Sequence, residues 1–219
     1  MRKTVASIVA VLASAGFLAG FTSTVQAQDA AAGEKKATLC AGCHSIPGYQ
    51  ASFPEVHKVP MIAGQNAKYI VAALTAYKKG DRKHPTMRGI AVSLSEQDMA
   101  DLAAYYESQG KSEPAPKTVP APTPAVAELL KKTNCASCHG ENFSTPIDAS
   151  YPKIAGQHAD YLYVALKAYQ IDNNPNIGRN NAIMAGMAKQ YTPAQLEQLA
   201  DYLGSLQGEL LTVSQPGFK

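Results

Sequence analysis

One short motif occurs twice in this chain, at residues 40–44 (CAGCH) and at residues 135–139 (CASCH). These two copies contain all four cysteines of the sequence. On a helix, positions i, i+3 and i+4 share one face, so the two thiols and the imidazole of each copy lie together. That arrangement suits a haem, whose two vinyl groups react with the thiols while the histidine binds the iron. We therefore predict two covalently attached haem groups, held by Cys40, Cys43, Cys135 and Cys138.

A Cys-x-x-Cys pair also occurs in three other kinds of site: zinc sites, redox-active dithiols and structural disulfides. A zinc site would need four ligands, and no second Cys or His pair lies near either copy. A dithiol of the thioredoxin type would need a βαβ setting, which the flanking sequence does not offer. The histidine after each pair and the matched downstream sequence favour haem over these alternatives.

The first 27 residues have the pattern of a secretory signal. Arg2 and Lys3 form a charged start, an apolar run covers residues 5–21, and residues 25–27 (VQA) fit a small-residue cleavage site. The alternative is a retained membrane anchor, but no basic stop-transfer cluster follows the apolar run. We therefore expect cleavage after residue 27 and export to a bacterial periplasm, where c-type haem is attached.

The charge of the chain argues against a nucleic-acid-binding protein, and its length indicates how many domains it can form. The chain has 20 lysines and arginines against 17 aspartates and glutamates, and two of the basic residues lie in the predicted signal. This balance lacks the basic excess of a nucleic-acid-binding protein, so no nucleic-acid partner is expected. The length after residue 27 suits two small domains.

A proline-rich stretch separates two similar halves. Residues 111–124 read KSEPAPKTVPAPTP, a composition typical of a semi-extended linker. On either side of it, residues 60–65 (PMIAGQ) match residues 152–157 (PKIAGQ), and further matches follow in the same order. We assign residues 28–110 to a first domain and residues 125–219 to a second, related to it by internal duplication.

Each half is predicted to be helical, which makes the fold all-α. Tyr69, Ala73 and Tyr77 recur at i, i+4 and i+8, and their counterparts in the second half do the same. The last helix of each half is predicted to begin at a capping box, at Ser95 and at Thr192. Strand signals are weak throughout the sequence.

His44 and His139 each supply one iron ligand, and the second ligand decides what each haem can do. A thioether raises the reduction potential and closes the iron to outside ligands, an empty position would permit peroxidase chemistry, and a second histidine would lower the potential. Met87 and Met184 are the favoured ligands, because each lies five residues after a repeated arginine and just before the last helix of its half.

The other methionines and histidines are expected to serve the fold. Met99 lies within the last helix of the first half and is predicted to be a core residue, whereas Met61 and Met187 have no methionine counterpart in the other half. Three histidines do not recur and are interpreted as surface or loop residues rather than ligands: His57, His84 and His158.

Two further residue types recur in both halves, Arg82 with Arg179 and Gln65 with Gln157. A guanidinium fork is well suited to bind a haem propionate, and the alternative for these arginines is a solvated surface charge. The glutamines are open to two interpretations, as propionate donors or as loop caps.

Taken together, the paired C-x-x-C-H motifs, Pro-x-Ile-Ala-Gly-Gln segments, Arg-x4-Met segments and closing Ala-x-Tyr helices resemble the dihaem cytochromes c4. The resemblance covers nearly all of the chain after residue 27. It implies two tandem cytochrome c-like domains related by a pseudo-twofold axis, with haems that face each other across the interface. It also implies two sites, Cys40, Cys43, His44 and Met87 in the first domain and Cys135, Cys138, His139 and Met184 in the second.

The sequence departs from the family pattern in three places. Ser45 follows His44 where the family usually has glycine, whereas Gly140 follows His139. Residues 45–59 do not match the usual loop of the family. Gly33 suits a close helix crossing near the first haem, but its counterpart in the second half is Glu128.

The resemblance further implies an electron carrier rather than an enzyme. Its expected donor is a membrane quinol–cytochrome c oxidoreductase and its expected acceptor a terminal oxidase. We expect a monomer, and loose association with the membrane stays open. Two alternatives are a cytochrome subunit of a periplasmic dehydrogenase, such as one that oxidises sulfur compounds, and a dihaem peroxidase.

Overall fold

The computed structural model describes residues 27–215 of the 219-residue chain, so all of the predicted signal except Ala27 lies outside the described residues. The described part is mostly helical, as predicted, and has two halves with the same order of helices. The helices of the first half are α1 (Ala30–Lys36), α2 (Thr38–His44), α3 (Ala67–Lys79), α4 (Pro85–Val92) and α5 (Glu96–Ser108). Those of the second half are α6 (Pro124–Lys132), α7 (Ala136–His139), α8 (Ala159–Ala168), α9 (Ala182–Ala188) and α10 (Pro193–Ser205).

Four strands of two residues each accompany these helices: β1 (Gln50–Ala51), β2 (His57–Lys58), β3 (Arg82–Lys83) and β4 (Gly178–Arg179). β1 and β2 form a hairpin within the first half, and β3 pairs with β4 of the second half. Within residues 27–215, none of the helices combines the length and the apolar composition that crossing a membrane would require.

The last helix of each half begins as the sequence predicts. The Ser95 side chain accepts from the Asp98 backbone N–H while the Asp98 carboxylate accepts from the Ser95 N–H, and Thr192 and Gln195 repeat this reciprocal pair. The apolar faces of these helices form the centre of each core. Met99 is 2% exposed in α5, which confirms its prediction as a core residue.

Gly33 lets α1 approach α5 closely in the first half. A Cβ atom at Gly33 would lie 2.1 Å from the carbonyl oxygen of Asp101, well inside van der Waals contact. Lys36 then pairs with Asp101 at 2.7 Å and with Asp98 at 2.7 Å, one turn further along the same crossing. The close crossing expected at Gly33 is therefore present.

The linker packs against the end of the second half. Lys111 Nζ donates to the carbonyl of Gly208 at 2.7 Å, and the Ala115 N–H donates to the carboxylate of Glu209 at 3.0 Å. Pro124, placed in the linker by the sequence assignment, is the first residue of α6 and follows the capping Thr123. The domain boundaries themselves stay a prediction.

The two halves contact each other along several segments. Arg82 lies opposite Arg179 in the β3–β4 pair, and the Asn180 N–H donates to the carbonyl of Asp81 at 2.6 Å. The C-terminal segment then returns to the first half, where the N–H of Leu211 donates to the carbonyl of Ala63 at 3.0 Å. The side chains of Leu211 and Val213 pack against the core of the first half. Residues from the end of the second half thus complete the hydrophobic core of the first half.

The β1–β2 hairpin occupies the stretch that departs from the family loop, and it reaches α8 of the second half. Glu55 pairs with Lys167 at 2.7 Å, and the Lys58 N–H donates to the carboxylate of Asp160 at 3.0 Å. The interpretation of His57 as a surface or loop residue is wrong: it lies in β2 and is 4% exposed. It is buried because the hairpin packs on α8, with the Tyr161 ring 6.2 Å from the imidazole.

We predict that Gly33→Ala destabilises the first half. The added methyl group would meet the α5 backbone, and forcing such a group into a packed contact typically costs about 1–3 kcal/mol. Chemical unfolding of the haem-loaded protein would measure this loss. Ala31→Ser, at an exposed position of the same helix, is the matched control and should change the free energy of unfolding little. Equal stabilities of the two variants would contradict the close crossing.

Candidate haem sites

Each Cys-x-x-Cys-His motif lies at the end of a short helix. Cys40, Cys43 and His44 belong to α2, which ends at His44, and α7 likewise ends at His139. All four cysteines are free and partly buried. Among residues 27–215 no group of three or more His, Cys, Asp and Glu side chains could hold a metal ion, so the zinc alternative finds no ligand set there. The thiols are spaced and available as haem attachment requires.

The chain turns sharply after the second motif at Gly140. Its φ is 81°, and a Cβ atom there would lie 2.0 Å from the carbonyl oxygen of Thr145. Only glycine meets both conditions. In the first half Ser45 occupies this place in an ordinary conformation, with φ at −108°, and the chain continues into the longer loop that carries the β1–β2 hairpin.

A backbone carbonyl orients each motif histidine. His44 Nδ1 lies 2.8 Å from the carbonyl oxygen of Pro60, and His139 Nδ1 lies 3.0 Å from that of Pro152. A carbonyl can only accept, so Nδ1 carries the proton and the lone pair is on Nε2, as an iron ligand needs. Burial lowers the pKa of both imidazoles, which keeps them neutral.

Met87 and Met184 occupy the same place in the first turn of α4 and of α9, and both are partly buried. The Met87 N–H donates to His84 Nδ1 at 3.4 Å, and the Met184 N–H donates to Asn181 Oδ1 at 3.0 Å. His84 is thus the N-cap of α4 and the counterpart of Asn181. Its Nε2 faces the carbonyl of Phe53 at 3.2 Å, so both ring nitrogens have protein partners. The sequence interprets His84 as a surface or loop residue rather than a ligand, and here it lies at the start of α4 with its ring hydrogen-bonded to the protein.

The two repeated arginines lie together at the contact between the halves. Arg82 donates to the Tyr69 hydroxyl at 3.2 Å and to the Tyr161 hydroxyl at 2.7 Å, and Arg179 donates to the same Tyr161 hydroxyl at 3.2 Å. Burial alone would raise the pKa of Tyr161, but the two guanidinium groups lower it to about 8. Burial raises the pKa of Tyr69 to about 12. We call these residues, with Tyr77 and Tyr169, the arginine–tyrosine cluster.

The aromatic rings of the cluster enclose the guanidinium groups. Arg82 lies 4.5 Å above the centre of the Tyr77 ring, and Arg179 lies 5.3 Å above that of Tyr169. Among residues 27–215, neither arginine has a carboxylate within salt-bridge distance, and the buried Nε of Arg82 has no hydrogen-bond partner. Two neighbouring cations with no anion are costly to bury. The propionates of a haem would supply the missing negative charge, so the cluster fits this cofactor.

Gln65 and Gln157 use their amides on the backbone of the opposite half. The Gln65 Oε1 accepts from the Lys153 N–H at 2.9 Å while its Nε2 donates to the Lys153 carbonyl at 2.9 Å. Gln157 repeats this with Met61, at 3.0 and 2.8 Å. The sequence shows that the glutamine recurs in both halves. It does not show what each glutamine bonds to, because the bonds join residues that are 88 and 96 positions apart.

The chain is a c-type cytochrome with two haem-binding domains, because the Cytochrome c family model matches residues 30–109 and again residues 125–207. Within that class, it belongs to the cytochrome c4 family. Cytochrome c4 of Stutzerimonas stutzeri is 31% identical over 217 residues, which are 90% of this chain and 98% of that protein. The two Cys-x-x-Cys-His motifs therefore imply two haem c groups, and the chain is an electron-transfer protein rather than an enzyme.

Two further similarities bear on the architecture and on the partners. The crystal structure of reduced recombinant cytochrome c4 from Pseudomonas stutzeri matches with a TM-score of 0.63 at 28% identity, over 83% of this chain and 100% of that one. This match confirms the predicted fold of two tandem cytochrome c domains. A protein named thiosulfate dehydrogenase electron acceptor, from Stutzerimonas stutzeri (strain A1501), is 29% identical over 78% of this chain and 80% of its own length.

Proposed function

We propose that this cytochrome shuttles electrons between components of a respiratory chain in the periplasm, with a quinol–cytochrome c oxidoreductase as donor and a terminal oxidase as acceptor. The observation that carries the proposal is the duplicated motif helix whose histidine is oriented by a prolyl carbonyl. Two equivalent sites, in each of which a methionine would close the iron to outside ligands, would suit the passage of electrons. Localisation rests on the predicted signal, and the donor and acceptor rest on the family resemblance.

We assign His44 and Met87 as the axial ligands in the first half, and His139 and Met184 in the second. When bound, haem iron supplies a one-electron ferric–ferrous couple. The protein holds each histidine neutral and oriented, and the cap of α4 or α9 fixes the backbone at each methionine. The four cysteines anchor the cofactors covalently. A thioether on each iron would keep the potential high and exclude outside ligands.

We assign Arg82 and Arg179 to the haem propionates. Both arginines are partly buried at the contact between the halves, and the hydroxyl of Tyr161 connects their guanidinium groups. The unpartnered Nε of Arg82 supports this assignment, because a buried donor without an acceptor is strongly disfavoured. Positive charge in this place would favour the ferrous state, since reduction adds an electron.

A second candidate is electron acceptance from a thiosulfate-oxidising dehydrogenase. The similarity to a protein named as the electron acceptor of thiosulfate dehydrogenase favours it. Both functions use the same two sites and differ only in the donor. We place this candidate second because relatives named cytochrome c4 match over more of the chain, up to 90% of it compared with 78%.

We predict that Met87→Ala lowers the reduction potential of the first haem and that Met184→Ala lowers that of the second. Loss of a thioether destabilises the ferrous state, and the effect should well exceed the roughly 59 mV that a tenfold change represents in a one-electron couple. Spectroelectrochemical titration measures both potentials. The wild-type ferrous protein should not bind carbon monoxide, whereas each variant should.

Met187→Leu is the matched control, because Met187 lies one turn after Met184 in α9 and is also partly buried. Its potentials should equal those of the wild type. Unchanged potentials in both alanine variants, or carbon monoxide binding by the wild type, would overturn the ligand assignment and would favour an iron open to small molecules.

We predict that Arg82→Gln lowers the reduction potentials, because it removes a partly buried positive charge that favours reduction. The expected change is about tenfold in the reduction equilibrium, roughly 59 mV for one electron. Arg82→Lys keeps the charge and should recover most of the loss. Arg88→Gln, at an exposed position on α4, is the control and should have a much smaller effect. Equal shifts for Arg82→Gln and Arg88→Gln would contradict the propionate assignment.

We predict that a quinol–cytochrome c oxidoreductase reduces this protein faster than a thiosulfate dehydrogenase supplied with thiosulfate. Stopped-flow absorbance would give the second-order rate constant for each donor at the same ionic strength. A preference of tenfold or more for the dehydrogenase would replace the first proposal with the second.

A further inference from the structure

Residues 60–65 and 152–157 make two kinds of contact in each half. The first residue of each segment, Pro60 or Pro152, accepts from the axial histidine of its own half. The last residue, Gln65 or Gln157, extends its amide to the other half. The opposite ends of one six-residue segment therefore serve two different haem sites.

The amide of Gln157 holds the segment that orients His44. Its Oε1 accepts from the Met61 N–H at 3.0 Å, and its Nε2 donates to the Met61 carbonyl at 2.8 Å. Two bonds to one residue resemble the pairing of adjacent strands and fix the backbone against both sliding and rotation. Met61 directly follows Pro60, whose carbonyl oxygen lies 2.8 Å from His44 Nδ1.

The reciprocal arrangement holds in the other direction. The amide of Gln65 makes both of its bonds to Lys153, each 2.9 Å long. Lys153 follows Pro152, whose carbonyl oxygen lies 3.0 Å from His139 Nδ1. Each half thus holds the carbonyl that orients the histidine of the other half.

Both glutamine side chains are fixed within their own half as well. Gln65 Oε1 also accepts from the Asn66 N–H at 3.0 Å, and Gln157 Oε1 accepts from the His158 N–H at 3.0 Å. Each glutamine is only 4% exposed. Buried amides with all of these partners are rigid, and water does not readily replace the bonds when the side chain is removed.

We propose that Gln157 is a positioning residue for His44 and that Gln65 is a positioning residue for His139, so that each half adjusts the reduction potential of the iron in the other. The inference rests on the proposed function in one respect, the assignment of these histidines as iron ligands. A hydrogen bond from Nδ1 to a carbonyl makes the imidazole a stronger electron donor, which favours ferric iron. Loosening the prolyl carbonyl weakens this bond, so the potential of that haem rises.

The test uses Gln157→Leu and Gln65→Leu in the full haem-loaded protein, each variant serving as the matched control for the other. Potentials are followed by NMR through the haem methyl signals, which are assigned to their halves with the Met87 and Met184 variants. Gln157→Leu should raise the potential of the first haem and leave the second near its wild-type value. Gln65→Leu should do the opposite. The expected change is up to about tenfold in the reduction equilibrium, about 59 mV.

A second readout follows the hydrogen bond itself. In Gln157→Leu the Nδ1 proton of His44 should exchange with solvent faster, while that of His139 keeps its wild-type rate. Gln157→Asn and Gln65→Asn retain an amide but are too short to make both bonds. If a leucine variant fails to fold, the asparagine variant takes its place and should show the shifts in potential expected for leucine.

The inference is overturned if a variant changes the reduction potential of the haem in its own half. It is also overturned if a variant changes both potentials equally or changes neither. Equal shifts would show that the substitution loosens the whole contact between the halves. Wild-type spectra without two ligand-histidine Nδ1 signals would instead overturn the ligand assignment under the proposed function. The two failures are therefore distinguishable.

Discussion

Two like charges that lie side by side, partly buried between the halves, set the main constraint on this structure. Arg82 and Arg179 lie opposite each other where the halves meet, and their guanidinium groups contact tyrosine hydroxyls and rings. Such a pair is tolerable only if negative charge lies nearby, and each haem carries two propionates. Under the proposed propionate assignment, the contact between the halves and the binding of both cofactors depend on the same two positive charges.

Duplication lets the same residues serve a half and the contact between halves. Gly64 and Gly156 each occupy a left-handed conformation, with φ at 82° and 71°, and their N–H groups donate to the last helix of their own half. The next residue in each half, Gln65 or Gln157, then reaches across to the other. One segment in each half therefore contacts the motif histidine of its own half and also forms part of the contact between the halves.

Local features were predictable from the sequence, and distant ones were not. The motif helices and the capping boxes at Ser95 and Thr192 follow from residues a few positions apart, so spacing alone predicts them. The burial of His57 depends on a hairpin that packs against α8, about a hundred residues later. The sequence repeat shows that Gln65 and Gln157 occupy equivalent positions. Their partners lie in the opposite half, so local spacing could not predict them.

The return of the C-terminal segment to the first half bears on how the protein is made. Leu211 and Val213 complete a core whose other members lie between residues 30 and 106. The first half therefore lacks part of its interior until residues 211–213 have been synthesised. Both Cys-x-x-Cys-His motifs precede that segment, so each motif is complete in the chain before the core of the first half can close.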